Sequence, residues 1–194
     1  MAAAQSPTRA KFIATTAELL HSHGYHATGL NQIIAASGAP RGSLYYHFPG
    51  GKDELVAAAL QHSGARIDTL LESLAVADDL KRTAQNIFEY FSAALQSSNF
   101  QKGCPIAATA LEISPEQAAL QTIITEIQAG WLDRLSRLIA TQSSLDADKA
   151  RNLAGLLFSL LEGALLQARM QLSVAPLLQA CALCQELLPP ADPH

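Results

Sequence analysis

Valine is nearly missing from this 194-residue chain, with 3 copies against 35 alanines and 30 leucines. β-Branched residues favour strands, whereas Ala and Leu are the best helix formers. The imbalance therefore excludes a sandwich or barrel and predicts an all-α protein. Charge is scarce too, at 15% of residues against about 25% in an average soluble protein. The 49% of hydrophobic residues leaves ample material for a core, which excludes disorder as the main state. Cysteine occurs 3 times, as Cys104, Cys181 and Cys184, and this odd number implies no disulfide framework. Met1 to Lys11 is small and polar, without the apolar stretch of a secretory signal. A run of about 18 apolar residues, the length that crosses a bilayer, is absent as well. The most apolar part, Leu153 to Leu188, is interrupted by Glu162, Arg169 and several glutamines. A cytoplasmic protein without a membrane partner is expected. Catalytic signatures are lacking: there is no G-x-S-x-G elbow, and Gly51-Lys52 has neither the upstream glycine nor the Ser/Thr of a phosphate-binding loop. No catalytic residue, metal site or cofactor is assigned.

What charge there is lies unevenly. The chain carries −4 overall, yet up to Lys52 four basic residues (Arg9, Lys11, Arg41, Lys52) stand against one acid, Glu18, for a net +3. Beyond Lys52 nine basic residues stand against sixteen acidic ones, for −7. An acidic protein with one basic end can grip nucleic acid with that end. An uneven surface alone accounts for the same numbers.

Apolar periodicity and helix punctuation predict nine helices. Thr8 to His23 is the first, stopped by Gly24. Thr28 caps a short second helix carrying Leu30, Ile33 and Ile34, closed by Gly38. Pro40 opens a third through Tyr46. After Pro49-Gly50-Gly51, Lys52 to about Ala75 forms a longer fourth. Asp78 to Ser97 and a short helix from Cys104-Pro105 to near Ile113 follow. Ser114 to Gln117 reads as a capping box for a helix to about Ala140. Asp146 to Leu172 and Pro176 to Leu188 complete the set. The expected organisation is an N-terminal three-helix, helix-turn-helix domain over residues 1–50, a helical bundle over 51–188 and a disordered tail over 189–194.

Helix, short helix, tight turn and short helix from Thr8 to Phe48 is the layout of a helix-turn-helix unit. Thr28 is expected to offer its hydroxyl and nearby free amides to a phosphate. Pro40, Arg41, Gly42 and Ser43 open the helix that would enter the major groove. There Arg41 can bond a guanine bidentately, or serve as one more phosphate contact, and Gly42 allows close backbone approach. Tyr45, Tyr46 and His47 carry groups suited to phosphate oxygens, Leu44 and Phe48 are left for the core, and Lys52 adds a cation.

The runs Thr28 to Gly38 (TGLNQIIAASG) and Ala39 to Phe48 (APRGSLYYHF), led in by Gly24 to Thr28 (GYHAT), resemble the tetracycline-repressor (TetR) family of transcriptional regulators. The likeness is close over Arg9 to Leu60. The extra glycine in Phe48 to Lys52 (FPGGK) and the segment Gly103 to Ala108 (GCPIAA) are similar to a branch of that family, repressors of multidrug-efflux and flavonoid-responsive operons. The sequence departs from the family pattern at Ile34, usually alanine, and at Ala39, often valine, as if a large and a small residue were exchanged in packing. Asn31 and Gln32 replace residues that are often charged. The resemblance implies a homodimer joined by a four-helix interface, a double-stranded DNA operator and a small-molecule effector. Repression fits it best, and activation remains open because operator position is not encoded here. The rival reading is a helical small-molecule-binding protein or enzyme with a vestigial DNA motif.

Three further groups stand out. Leu153 to Leu172 and Leu177 to Leu188 are apolar over more than one helix face, so they must be buried on more than one side. They form either the centre of a monomeric bundle or, as a palindromic site would require, half of a subunit interface; the expected interface residues are Leu157, Leu161, Leu165, Leu177, Cys181 and Leu188. Phe88, Phe91, Phe100, Leu111, Ile124, Gln128, Trp131, Phe158 and Glu162 can line an effector pocket or simply fill the core. Cys181 and Cys184, three apart on one helix face, are read as packing thiols rather than half of a zinc site. The His21, His23 and His26 cluster is read as charge favoured at a helix C-terminus rather than a metal site.

Overall fold

The computed structural model describes residues 6–77 and 79–189. Among them lie nine helices and no strand: α1 (Pro7–Ala27), α2 (Leu30–Ser37), α3 (Arg41–His47), α4 (Lys52–Leu74), α5 (Leu80–Ser97), α6 (Pro105–Ala110), α7 (Ala118–Thr141), α8 (Ala147–Gln171) and α9 (Ala175–Leu187). Residues 190–194 of the expected tail lie outside the described residues.

The chain packs as two compact units. The first takes the described part of Met1–Arg66 together with Cys104–Ile127, and the second takes Ile67–Gly103 with the described part of Gln128–His194. These boundaries differ from the functional division expected at residue 50.

In the first unit Phe12, Ile13, Ile33, Ala39, Leu44, Phe48 and Leu55 close one core, with Ile34 packed against it. The unusual pair Ile34 and Ala39 thus meets in one cluster. Gly38 ends α2 at φ 63°, a left-handed cap that a glycine adopts without strain. Pro40 then caps α3 in an extended conformation. Thr28, expected to cap α2 and offer its hydroxyl to phosphate, does neither. The cap of α2 is Gly29, and the Thr28 hydroxyl donates to the Gly24 carbonyl at 2.6 Å in a fully buried position. The cause is α1, which runs past Gly24 to Ala27 with a kink at that glycine (φ 77°, ψ −174°). The kink frees a carbonyl, and Thr28 satisfies it, because a buried acceptor without a partner costs about 1–3 kcal/mol.

In the second unit α9 packs on α8 and α5, around Leu80, Ala84, Phe88, Ile139, Ala154, Leu157, Leu165, Leu177 and Leu188. Asp79 and Asp146 cap α5 and α8, accepting from the N–H groups of Arg82 and Lys149 at 2.8 Å each, a device that contributes about 1 kcal/mol per helix. α8 is long and apolar enough, by length and composition, to cross a membrane. Part of that composition goes into this core.

Candidate nucleic-acid interface

α3 is two-faced. Leu44 and, just beyond the helix, Phe48 are fully buried. Arg41, Gly42, Tyr45 and Tyr46 are exposed, and Pro40 before them is exposed too. Tyr46 is 82% exposed and stacks edge-on with His47 at 5.0 Å between ring centres. Ser43 and His47 are half-buried. No carboxylate pairs with Arg41 among the described residues, so its planar fork keeps all its donors for an outside acceptor. Two phenols, one guanidinium and a glycine on the open side of a short helix form a surface for polar acceptors set in a groove.

Lys52, expected to add a cation, also has a partner inside the protein. Its Nζ donates to the Tyr25 carbonyl at 2.7 Å and sits 3.9 Å from the centre of the Tyr25 ring. Burial pushes its ammonium below the ordinary lysine range, partly opposed by the Asp53 and Glu112 carboxylates. The lysine side chain closes the end of α1 and retains two N–H donors.

Around it lies a network that local sequence patterns do not announce. The Tyr25 hydroxyl donates to Asp53 Oδ1 at 2.6 Å and accepts from the Gln117 amide. Burial first, then the Asp53 hydrogen bond and charge, push the Tyr25 phenol up to about 12. Glu112 accepts from the His26 N–H at 2.6 Å, with its carboxylate lying in the space a side chain at Gly24 would need. Gln117 also reaches back to the Ser114 N–H at 3.0 Å, which is half of the expected capping box. The helix itself starts only at Ala118.

Four of the six expected subunit-interface residues face inward in the protomer, and two stay partly open. Leu157, Leu165, Leu177 and Leu188 are buried in the second unit's core, and Leu161 and Cys181 are half-buried against it. The sides left open carry Leu156, Leu166 and Met170 on α8 and Leu178, Leu183 and Leu187 on α9, between 39% and 74% exposed. Cys184 lies in the same core, and burial pushes its thiol up to about 11.

The expected pocket residues are divided. Phe88 and Trp131 are buried, Phe91 and Phe100 pack against the second unit's core, and Phe158 lies 6.2 Å from Trp131 between ring centres. Glu162 is half-buried. Leu111 is corrected, being 82% exposed, and Gln128 is exposed as well. Leu111 and the buried Ile124 belong to the first unit. The indole N–H of Trp131 is buried without a hydrogen-bond partner among the described residues. No group of three His, Cys, Asp or Glu side chains among those residues is arranged to hold a metal ion.

Residues 12–59 match the family described as bacterial regulatory proteins, tetR family. Residues 81–182 match the C-terminal domain of the transcriptional regulators LmrA/YxaF-like. The chain is 33% identical over 174 residues to the HTH-type transcriptional regulator Rv0196 of Mycobacterium tuberculosis, covering 87% of this chain and 88% of that one. It is 28% identical over 182 residues to the HTH-type transcriptional regulator LmrA of Bacillus subtilis, covering 93% and 96%. The fold is that of the regulatory protein TetR from Rhodobacter sphaeroides, with a TM-score of 0.82 at 20% identity, over 95% of this chain and all of the other. Sequence pattern, relatives and architecture agree, and the chain belongs to the TetR family of DNA-binding transcriptional regulators, which are not enzymes.

Proposed function

We propose that the protein is a cytoplasmic homodimeric repressor that reads a palindromic operator with α3 and leaves it when a small apolar or aromatic effector binds. Residues 1–50 serve the DNA and residues 51–188 serve dimerisation and the effector. The observation that carries the reading is the open side of α3, where Arg41, Gly42, Tyr45 and Tyr46 are exposed over a core-facing Leu44. Arg41 reads a base edge, and Ser43, Tyr45, Tyr46 and His47 hold phosphate. Two copies join through exposed apolar side chains of α8 and α9, such as Leu156, Leu166 and Met170 on α8, since large apolar residues left open on one helix suit an interaction site. An aromatic effector, in keeping with the resemblance to multidrug- and flavonoid-responsive regulators, packs among Phe88, Phe91, Phe100, Trp131 and Phe158. The unpartnered Trp131 N–H supports an effector with a hydrogen-bond acceptor, because a buried donor left unsatisfied is costly. Effector binding favours a conformer whose two recognition helices are wrongly spaced for successive major grooves.

The test is a mobility shift on the DNA flanking the protein's own gene, with a panel of single-base variants. Arg41→Ala should weaken specific binding roughly tenfold to a hundredfold and relax preference at one base pair per half-site. A uniform loss across the panel would leave Arg41 a backbone anchor.

A further inference from the structure

Four basic residues, Arg9, Lys11, Arg41 and Lys52, make up the whole cationic complement of the first 52 positions. Lys52 is drawn inward onto the Tyr25 carbonyl, and Arg41 stands in the first turn of α3, the part that meets base edges. Lys52 keeps two of its N–H donors for an outside acceptor, and the two other cations stand on α1. One of them is held in place: the Arg9 guanidinium carbon lies 5.0 Å over the centre of the Phe48 ring. Phe48 immediately follows α3, is fully buried and is braced edge-on by Phe12 at 6.3 Å. The ring is therefore a fixed platform, and the guanidinium on it is fixed at the C-terminal exit of α3. A ring face takes none of the guanidinium's N–H donors as a conventional hydrogen-bond acceptor would, so Arg9 keeps them for oxygen acceptors. No ion pair or hydrogen bond engages Arg9 among the described residues.

We infer that Arg9 is a phosphate-binding residue, seated by Phe48 at the far end of the recognition helix. The inference rests on the reading that α3 enters the major groove. With seven residues at about 1.5 Å each, α3 is roughly 10 Å long, set against a groove about 12 Å wide. A helix whose N-terminal end is among the bases has its C-terminal end at the groove rim, where the sugar–phosphate backbone runs. Arg41 and Arg9 therefore act at opposite ends, one on a base and the other on the backbone, and together they set the tilt of the helix. Because the ring already orders the Arg9 side chain, little rotamer freedom is lost when phosphate is bound.

The experiment titrates full-length protein in rising salt against two duplexes, one drawn from the DNA flanking its own gene and one of arbitrary sequence. Each neutralised phosphate contributes about 0.9 to the slope of log affinity against log salt. Arg9→Gln should reduce that slope by about 0.9 per engaged protomer and weaken both duplexes about fivefold per contact at 0.15 M salt. Arg9→Lys should restore the slope, because lysine carries the charge without the planar fork. A slope unchanged in Arg9→Gln overturns the inference, whether affinity is kept or lost, and so does a slope that Arg9→Lys fails to restore. Arg41→Ala separates the two ideas. If it alters neither affinity nor base preference, the groove reading fails, and the inference falls with it.

Discussion

Gly24→Ala places a methyl group where the Glu112 carboxylate already lies, and its cost can be worked out from two terms. The first is backbone strain. Gly24 holds φ 77° and ψ −174°, a region open almost only to glycine, where another residue costs about 1–3 kcal/mol. The second is a lost hydrogen bond. A Cβ would stand 2.9 Å from Glu112 Cδ and 3.1 Å from Oε2, too close to coexist, so the carboxylate must leave the His26 N–H that it holds at 2.6 Å. That bond is exposed, which puts its contribution at about 1 kcal/mol, the low end for a charged acceptor. The expected destabilisation is about 2–4 kcal/mol, read from urea unfolding at fixed protein concentration. A double-mutant cycle with Glu112→Ala isolates the second term. Glu112→Ala alone should cost about 1 kcal/mol, and the pair should be less than additive by the same amount, because one bond cannot be lost twice. Strict additivity would refute the docking of Glu112 at this corner. A Gly24→Ala variant as stable as the parent would refute the strain argument.

Leu166→Glu, at a residue 55% exposed, should leave the protomer folded but bury an unpaired charge between subunits at a cost of several kcal/mol. Sedimentation should then report monomer, and a variant that remained fully dimeric would place the interface elsewhere. Leu165→Glu, one residue away and 6% exposed, should instead unfold the second unit, seen as lost helical circular dichroism. Lys52→Ala should lower the melting temperature by opening the end of α1, while changing the salt slope of DNA binding by less than one phosphate contact. A drop of about 0.9 would show that Nζ leaves Tyr25 for the backbone of the DNA. The Tyr25 phenol, pushed up to about 12 from an ordinary 10, stabilises the fold in its neutral form. Its contribution is complete below pH 10 and is lost as pH rises through 12. Tyr25→Phe should remove that part of the alkaline transition.

The turn-and-helix segment was legible because its causes are local. Gly38, Pro40 and the spacing of Leu44 and Phe48 act within a few residues of one another, and the structure puts α2 and α3 within a residue or two of the expected boundaries. The role of Thr28 is not legible locally, because its hydroxyl answers to a kink four residues earlier, and a glycine inside a helix reads equally well as a stop. The α8 stripe gives a subtler lesson. Its width correctly implied that more than one side needs covering. Periodicity alone does not tell which side meets its own chain: Leu157 and Leu165, expected at a subunit interface or in a bundle centre, face the protomer's core, while Leu156 and Leu166 face out. Glu112 and Gln117 escaped notice because their partners lie 86 and 92 residues away.

Those long separations make the order of synthesis matter. The first unit is assembled from two stretches of chain, with Ile67–Gly103 of the other unit threaded between them. At about 5–20 residues per second a ribosome needs several seconds to pass from Arg66 to Ile127, and through that interval the corner at Gly24 has no Glu112 and Tyr25 has no Gln117. Contacts so distant in sequence also close late, because a long loop must be ordered before they form. The helix-turn-helix segment is made early and its unit is finished after much of the rest, so a nascent chain released early carries α3 without the groups that brace the end of α1.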